Sequence, residues 1–128
     1  MKNFRAYLRL FGLIIIFQTI SHLLILYSDP TINSGLGLNL AFMPFINFVL
    51  IIALVFALFI LFHKSPTIAL ILVSAGAVSN ICDRIIYSGV VDWLNFFGLF
   101  KFNLADLSIF LGLSFVLYQK ISQIRRGE

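Results

Sequence analysis

Four runs of about 20 apolar residues constrain this chain's fold more than any other feature. A helix rising 1.5 Å per residue needs about that length to cross roughly 30 Å of hydrocarbon. The runs cover roughly residues 7–27, 43–62, 67–87 and 103–121, the last with polar residues at its start. Pro44 and Pro66 sit near the starts of the second and third runs, where a missing N–H costs little. The 128 residues are 61% hydrophobic and only 11% charged, with mean hydropathy +1.06. Soluble domains are about half apolar and about a quarter charged. Such a composition leaves no polar region for a second domain and excludes disorder, and the single Cys82 excludes a disulfide framework. Nine Lys and Arg are too few for a nucleic-acid groove. The expectation is an all-α membrane protein, one domain over residues 1–128 with four transmembrane helices.

Positive charge orients the spans. Lys2, Arg5, Arg9, Lys64, Lys120, Arg125 and Arg126 fall at one set of ends, and only Arg84 and Lys101 at the other. Seven against two places both termini in the cytoplasm and the short loops 28–42 and 88–102 outside. The basic start of the first run is similar to that of a signal peptide. Its apolar stretch is too long, however, and no small-x-small site follows. It reads as an uncleaved first helix.

Two clusters break the apolar pattern: Asn80-Ile81-Cys82-Asp83-Arg84 at the outer end of the third run and Asn103-Leu104-Ala105-Asp106 at the outer start of the fourth. Ionisable groups at membrane depth are costly unless they face protein or water, so they are functional candidates. In each cluster Asn and Asp lie three residues apart, on one helix face. Gly76 lies on the same face as Asn80, residues 74–79 are mostly small, and the last run carries Ala105, Ser108 and Gly112. Small residues let helices approach closely in lipid, so the two Asp-bearing faces are expected to meet. Asp83 and Asp106 would then lie at similar depth, where two carboxylates tend to share a proton. Aspartic proteases use such a pair as base and acid, and Asn80 and Asn103 would hold it or donate to an oxyanion. Two matched clusters at one depth make plain interhelical hydrogen bonding the weaker reading, but spacing alone does not separate a protease from a proton or cation site.

Other candidates carry less. Cys82 is about 100° around the helix from Asp83, has no neighbouring His, and reads as apolar filler. His22 with Asp83 and Asp106 has no spacing that specifies a metal. Tyr87, Trp93, Phe96 and Phe97 read as an interfacial belt, and Arg84 as a side chain that snorkels to lipid phosphate.

Three blocks in order then carry a resemblance: Gly76-Ala77-Val78-Ser79-Asn80-Ile81-Cys82-Asp83-Arg84, Gly89-Val90-Val91-Asp92-Trp93, and Phe102-Asn103-Leu104-Ala105-Asp106. Together they resemble the G-x-x-x-N-x-x-D-R, V-x-D and F-N-x-A-D blocks of the lipoprotein signal peptidases (signal peptidase II). The resemblance implies four transmembrane helices and an aspartic endopeptidase, a hydrolase of the bacterial inner membrane with its active site near the outer face. Such enzymes remove signal peptides from diacylglyceryl-modified prolipoproteins. By position, Asp83 and Asp106 match the catalytic dyad. Asn80, Arg84, Asn103 and Ala105 match supporting residues, Asp92 the loop carboxylate, and Asn33-Ser34-Gly35 the N-x-G element of the substrate site. No metal or organic cofactor is implied. The implied partners are the lipidated prolipoprotein and membrane lipids, with a monomeric enzyme.

The N-terminal half departs from the pattern. Gln18-Thr19-Ile20-Ser21-His22 stands where the family carries D-Q-x-[ST]-K, so the acid and the lysine are missing. The segment before Asn33 is short, and the expectation is that it has no room for the family's full β-sheet cradle and interfacial helix. Two further readings follow: a non-catalytic relative that binds lipidated peptides, and a small proton- or cation-coupled transporter.

Overall fold

The computed structural model describes residues 2–34, 52, 55, 56, 59 and 67–127. Three helices there are long and apolar enough to cross a membrane: α1 (Lys2–Tyr27), α2 (Ile68–Tyr87) and α3 (Leu104–Arg126). They coincide with the first, third and fourth apolar runs. The second run, 43–62, lies outside the described residues apart from helical positions Ile52, Val55, Phe56 and Phe59. The helix α1 starts five residues before its apolar run, and α3 continues five beyond its own, because backbone hydrogen bonding carries on into the charged flanks. Gly127, at φ 73°, ends α3 by donating to the carbonyls of Gln123 and Ile124. Thr67 caps α2, its hydroxyl accepting from the Leu70 N–H at 3.3 Å.

Of the three spans, α2 is the central one, 56% buried against 6% for α1 and 17% for α3. Its small residues explain this, since they let both neighbours close in. Against α1, Ala6 and Ile71 form a core with Leu10, Leu13 and Leu70. Against α3, Val73 and Ala77 pack on Ile109, and Ser108 Oγ donates to the Leu72 carbonyl at 2.8 Å. A Cβ on Gly76 would lie 2.3 Å from the Ala105 carbonyl oxygen, and one on Gly112 would lie 2.7 Å from that of Ala69. Those obstacles are backbone and cannot swing aside. Gly76→Ala is therefore expected to force α2 and α3 apart and cost about 1–3 kcal/mol or more, read as a lower melting temperature in detergent.

The described connections are not loops alone. Strand β1 (Thr31–Asn33) pairs antiparallel with β2 (Val90–Asp92), and β3 (Leu94–Phe96) pairs with β4 (Phe100–Phe102). The Trp93 N–H donates to the Phe102 carbonyl at 3.1 Å, tying β2 to the hairpin. Gly89 permits the first pairing, since a Cβ there would meet Ile32 Cγ2 at 2.7 Å. Short as it is, the segment before Asn33 thus contributes a strand to a small β platform. The β1–β2 pairing also brings the C-terminal ends of α1 and α2 to one side, together with the N-terminal end of α3.

Candidate active site

Helical angle decides which neighbour each polar residue of α2 meets. Gly76, Asn80 and Arg84 follow at intervals of four and share a face, which is turned to α3. Asp83 comes three residues after Asn80 and falls about 60° short of a full turn, which turns it with Ser79 toward α1. There Gln18 Nε2 donates to Asp83 Oδ1 at 2.8 Å and to Ser79 Oγ and O at 3.1 and 3.0 Å. Ser21 Oγ and the Val91 N–H donate to the other Asp83 oxygen at 3.1 and 3.3 Å. At 2% exposure, Asp83 is a buried clasp joining α1, α2 and β2.

Asp106 belongs to a different network. Asn103 is the N-cap of α3 and not part of its face: its side chain accepts from the Asp106 N–H at 2.8 Å, and Asp106 Oδ2 accepts from the Asn103 N–H at 3.3 Å. This reciprocal capping box fixes the carboxylate at the first turn. Asn80 Nδ2 donates to Asp106 Oδ1 at 2.7 Å, while Asn103 Nδ2 donates to Asn80 Oδ1 and to Asp92 Oδ1, each at 3.2 Å. Asn33 Nδ2 donates to Asp92 Oδ2 at 3.2 Å, and Arg84 Nη1 donates to the Asn80 carbonyl at 3.3 Å. Asn33, Asp92, Asn103, Asn80 and Asp106 thus form one chain of hydrogen bonds. Ala105 is buried where α3 passes Gly76.

Beside this chain opens a cleft of about 380 Å³, lined by residues 31–34, 99–101 and Asp92. Asp92 is the one carboxylate among the described residues lining it. Its side is bridged by Lys101, whose ammonium donates to Thr31 Oγ1.

A cleft lined by buried Asp92 beside a β platform, carried on helices long and apolar enough to span a membrane, agrees with one family in particular. The sequence model described as signal peptidase (SPase) II matches residues 9–122. The chain belongs to this family. A lipoprotein signal peptidase of Campylobacter jejuni (subsp. jejuni, strain 81-176) is 31% identical over 114 residues, covering 80% of this chain and 73% of that one. One from Wigglesworthia glossinidia brevipalpis is 31% identical over 103 residues, covering 69% and 66%. Another, from Campylobacter jejuni subsp. doylei, is 37% identical over 68 residues, covering 51% and 44%. This chain thus spans less than half of the last relative and just under two thirds of the one before it. Two solved bacterial membrane enzymes, determined by the in meso method, share the fold at 21% identity. Their TM-scores are 0.83 over 97% of this chain and 92% of the other, and 0.77 over 90% and 91%.

Within this signal peptidase II chain, the expected site residues sort into two groups. Asn33, Asn80, Asp92, Asn103 and Asp106 come together, with Arg84 and the Gly76–Ala105 contact supporting them. Asp83 faces away to α1. The three Asp83 donors were missed from sequence. Gln18 and Ser21, three apart on one face of α1, are the outward sign of that clasp. His22 Nδ1 lies 3.1 Å from Tyr87 Oη, and no three His, Cys, Asp or Glu side chains gather among the described residues.

Burial pushes the Asp92 carboxyl from its ordinary 3.8 up to about 6. The Asn33 hydrogen bond opposes the rise, the Asp106 charge adds to it, and Asn103 and Arg84 pull the other way. A carboxyl raised by folding stabilises the fold fully below its unfolded value, and loses that contribution as pH climbs through its folded value. Stability is therefore expected to fall between pH 3.8 and about 6, by at most about 1.4 kcal/mol per pH unit, read as a falling melting temperature. Asp92→Asn should flatten this part of the profile.

Proposed function

We propose that this protein is an aspartic endopeptidase that removes signal peptides from diacylglyceryl-modified prolipoproteins, with Asp92 and Asp106 as its working pair. The observation that carries the reading is the hydrogen-bond chain joining these two carboxylates through Asn103 and Asn80 beside the cleft. Asp83, whose oxygens accept from Gln18, Ser21 and Val91, has its capacity taken up by the fold. The pair Asp83 and Asp106 expected from sequence therefore gives way to Asp92 and Asp106.

A water between the two attacks the scissile carbonyl. Asp106 takes the water's proton and Asp92 gives one to the carbonyl oxygen, forming a tetrahedral diol. Collapse of the diol expels the amine, which takes a proton from the pair. Burial of Asp92 favours it as the proton-holding member, and Asn33 and Asn103 keep its carboxyl in one orientation. The extended peptide lies along the cleft between residues 31–34 and 99–101. Asn33, Asn80, Arg84 and Asn103 position the pair, while Gly76 and Ala105 set the helix spacing beneath it.

The same reading places four transmembrane helices in one domain in a bacterial inner membrane, with both termini cytoplasmic, the cleft at the outer face, and a monomer surrounded by lipid. The test is a gel-shift assay with purified protein and a prolipoprotein offered with and without its diacylglyceryl group. Cleavage confined to the lipidated substrate is expected. Binding without cleavage would favour a non-catalytic relative, and ion flux in liposomes without either would favour a transporter.

A further inference from the structure

The β3–β4 hairpin, whose residues 99–101 wall the cleft, also carries exposed rings at its tip, Phe96 and Phe97, that line no part of it. Its strands alternate, so that Leu94 and Phe96 share a face with their partners Phe102 and Phe100, while Asn95 opposite Lys101 occupies the other. The turn leaves Phe97 89% and Leu99 77% exposed, flanked by Phe96 and Phe100 at 44% and 43%. Its geometry is held: Phe97 and Gly98 sit at φ 49° and 78°, the Leu99 N–H donates to the Phe96 carbonyl at 2.9 Å, and the Gly98 N–H donates to Asn95 Oδ1 at 2.8 Å. Phe96 stacks on Phe100 at 5.1 Å and meets Phe97 edge-on at 5.0 Å. A braced turn of exposed rings is a wedge, and water is a poor neighbour for it.

We propose that this tip inserts into the lipid leaflet on its side of the membrane, anchoring the β platform at the interface. The occupant follows from continuity. The hairpin joins the end of α2 to the start of α3, where Ile85, Ile86 and Phe110 are 77%, 61% and 66% exposed, so the apolar surface of the tip extends that of the spans. Aromatic residues favour this depth, and Lys101 at the hairpin base is placed to meet lipid phosphate. Residues 99–101 also line the cleft, so insertion would hold that wall at the level where an acylated peptide leaves the bilayer. Only this last consequence rests on the proposed peptidase activity.

Trp93 is the sole tryptophan, which makes the depth measurable. Phe97→Trp in a Trp93→Phe background is reconstituted in phosphatidylcholine vesicles brominated near the carbonyl or the methyl end of the acyl chain. Expected is about a twofold loss of emission with bromine near the carbonyl, consistent with aromatic residues settling at the interface, and little quenching by aqueous acrylamide. Strong acrylamide quenching without bromine quenching overturns the proposal. Shielding from both, with crosslinking between copies, also overturns it and assigns the tip to a second copy of the chain. Leu99→Trp repeats the measurement if the first variant does not fold. No substrate is present, so the result stands whether or not the protein cleaves prolipoprotein.

Discussion

Asp92→Asn and Asp106→Asn are each expected to lower cleavage of a diacylglyceryl-modified prolipoprotein by roughly 100-fold to 10,000-fold, the range over which positioned acids and bases act. Their folded proteins should persist. In each, one accepting oxygen becomes an amide that meets a donor: Asn33 or Asn103 at Asp92, Asn80 or the Asn103 N–H at Asp106. The cost is about 1–3 kcal/mol, offset at Asp92 near neutral pH because the substitution removes a charge that burial disfavours. The decisive result is cleavage rate set beside melting temperature in the same preparation. Near wild-type cleavage by either variant would overturn the pair.

Asp83 should behave in the opposite way. Asp83→Ala leaves the donors of Ser21 and Val91 unanswered, both residues being buried, while Gln18 keeps only its bonds to Ser79. Unmet buried donors cost about 1–3 kcal/mol each, so little folded protein is expected in the membrane fraction. The gentler Asp83→Asn keeps one acceptor, and its cleavage per folded molecule should remain measurable. Complete loss of cleavage in a well-folded Asp83→Asn protein would return Asp83 to the chemistry. Gln18→Ala offers an independent check, since it should lower stability as the clasp predicts without touching the cleft.

The two Asn-x-x-Asp clusters look alike in the sequence, yet they fold differently. The first spans two faces of α2, with Asn80 toward α3 and Asp83 toward α1. The second is a capping box, with Asn103 outside the helix. A separation of three residues fixes an angle of about 300° along a helix, but that angle gains meaning only when neighbours stand on particular sides. Asn-x-x-Asp before an apolar run is also a known start signal, legible in advance. The β1–β2 pairing was not, because three-residue strands carry too little pattern to announce a partner 59 residues away.

The amino-acid sequence determined the apolar length and position of the described spans, the polar clusters at the end of α2 and the start of α3, and the small residues that let these two helices meet. Those are local properties: hydrophobic run length, residue size and charge act wherever the segment lies. Tertiary structure alone decided which carboxylate shares a chain of hydrogen bonds with Asp106. Packing of α1 against α2 consumed Asp83, while pairing of β1 with β2 carried Asp92 to Asn33 and Asn103. Hydrogen bonds between distant segments are chosen by which faces the packed helices turn to one another, and no single segment contains that information.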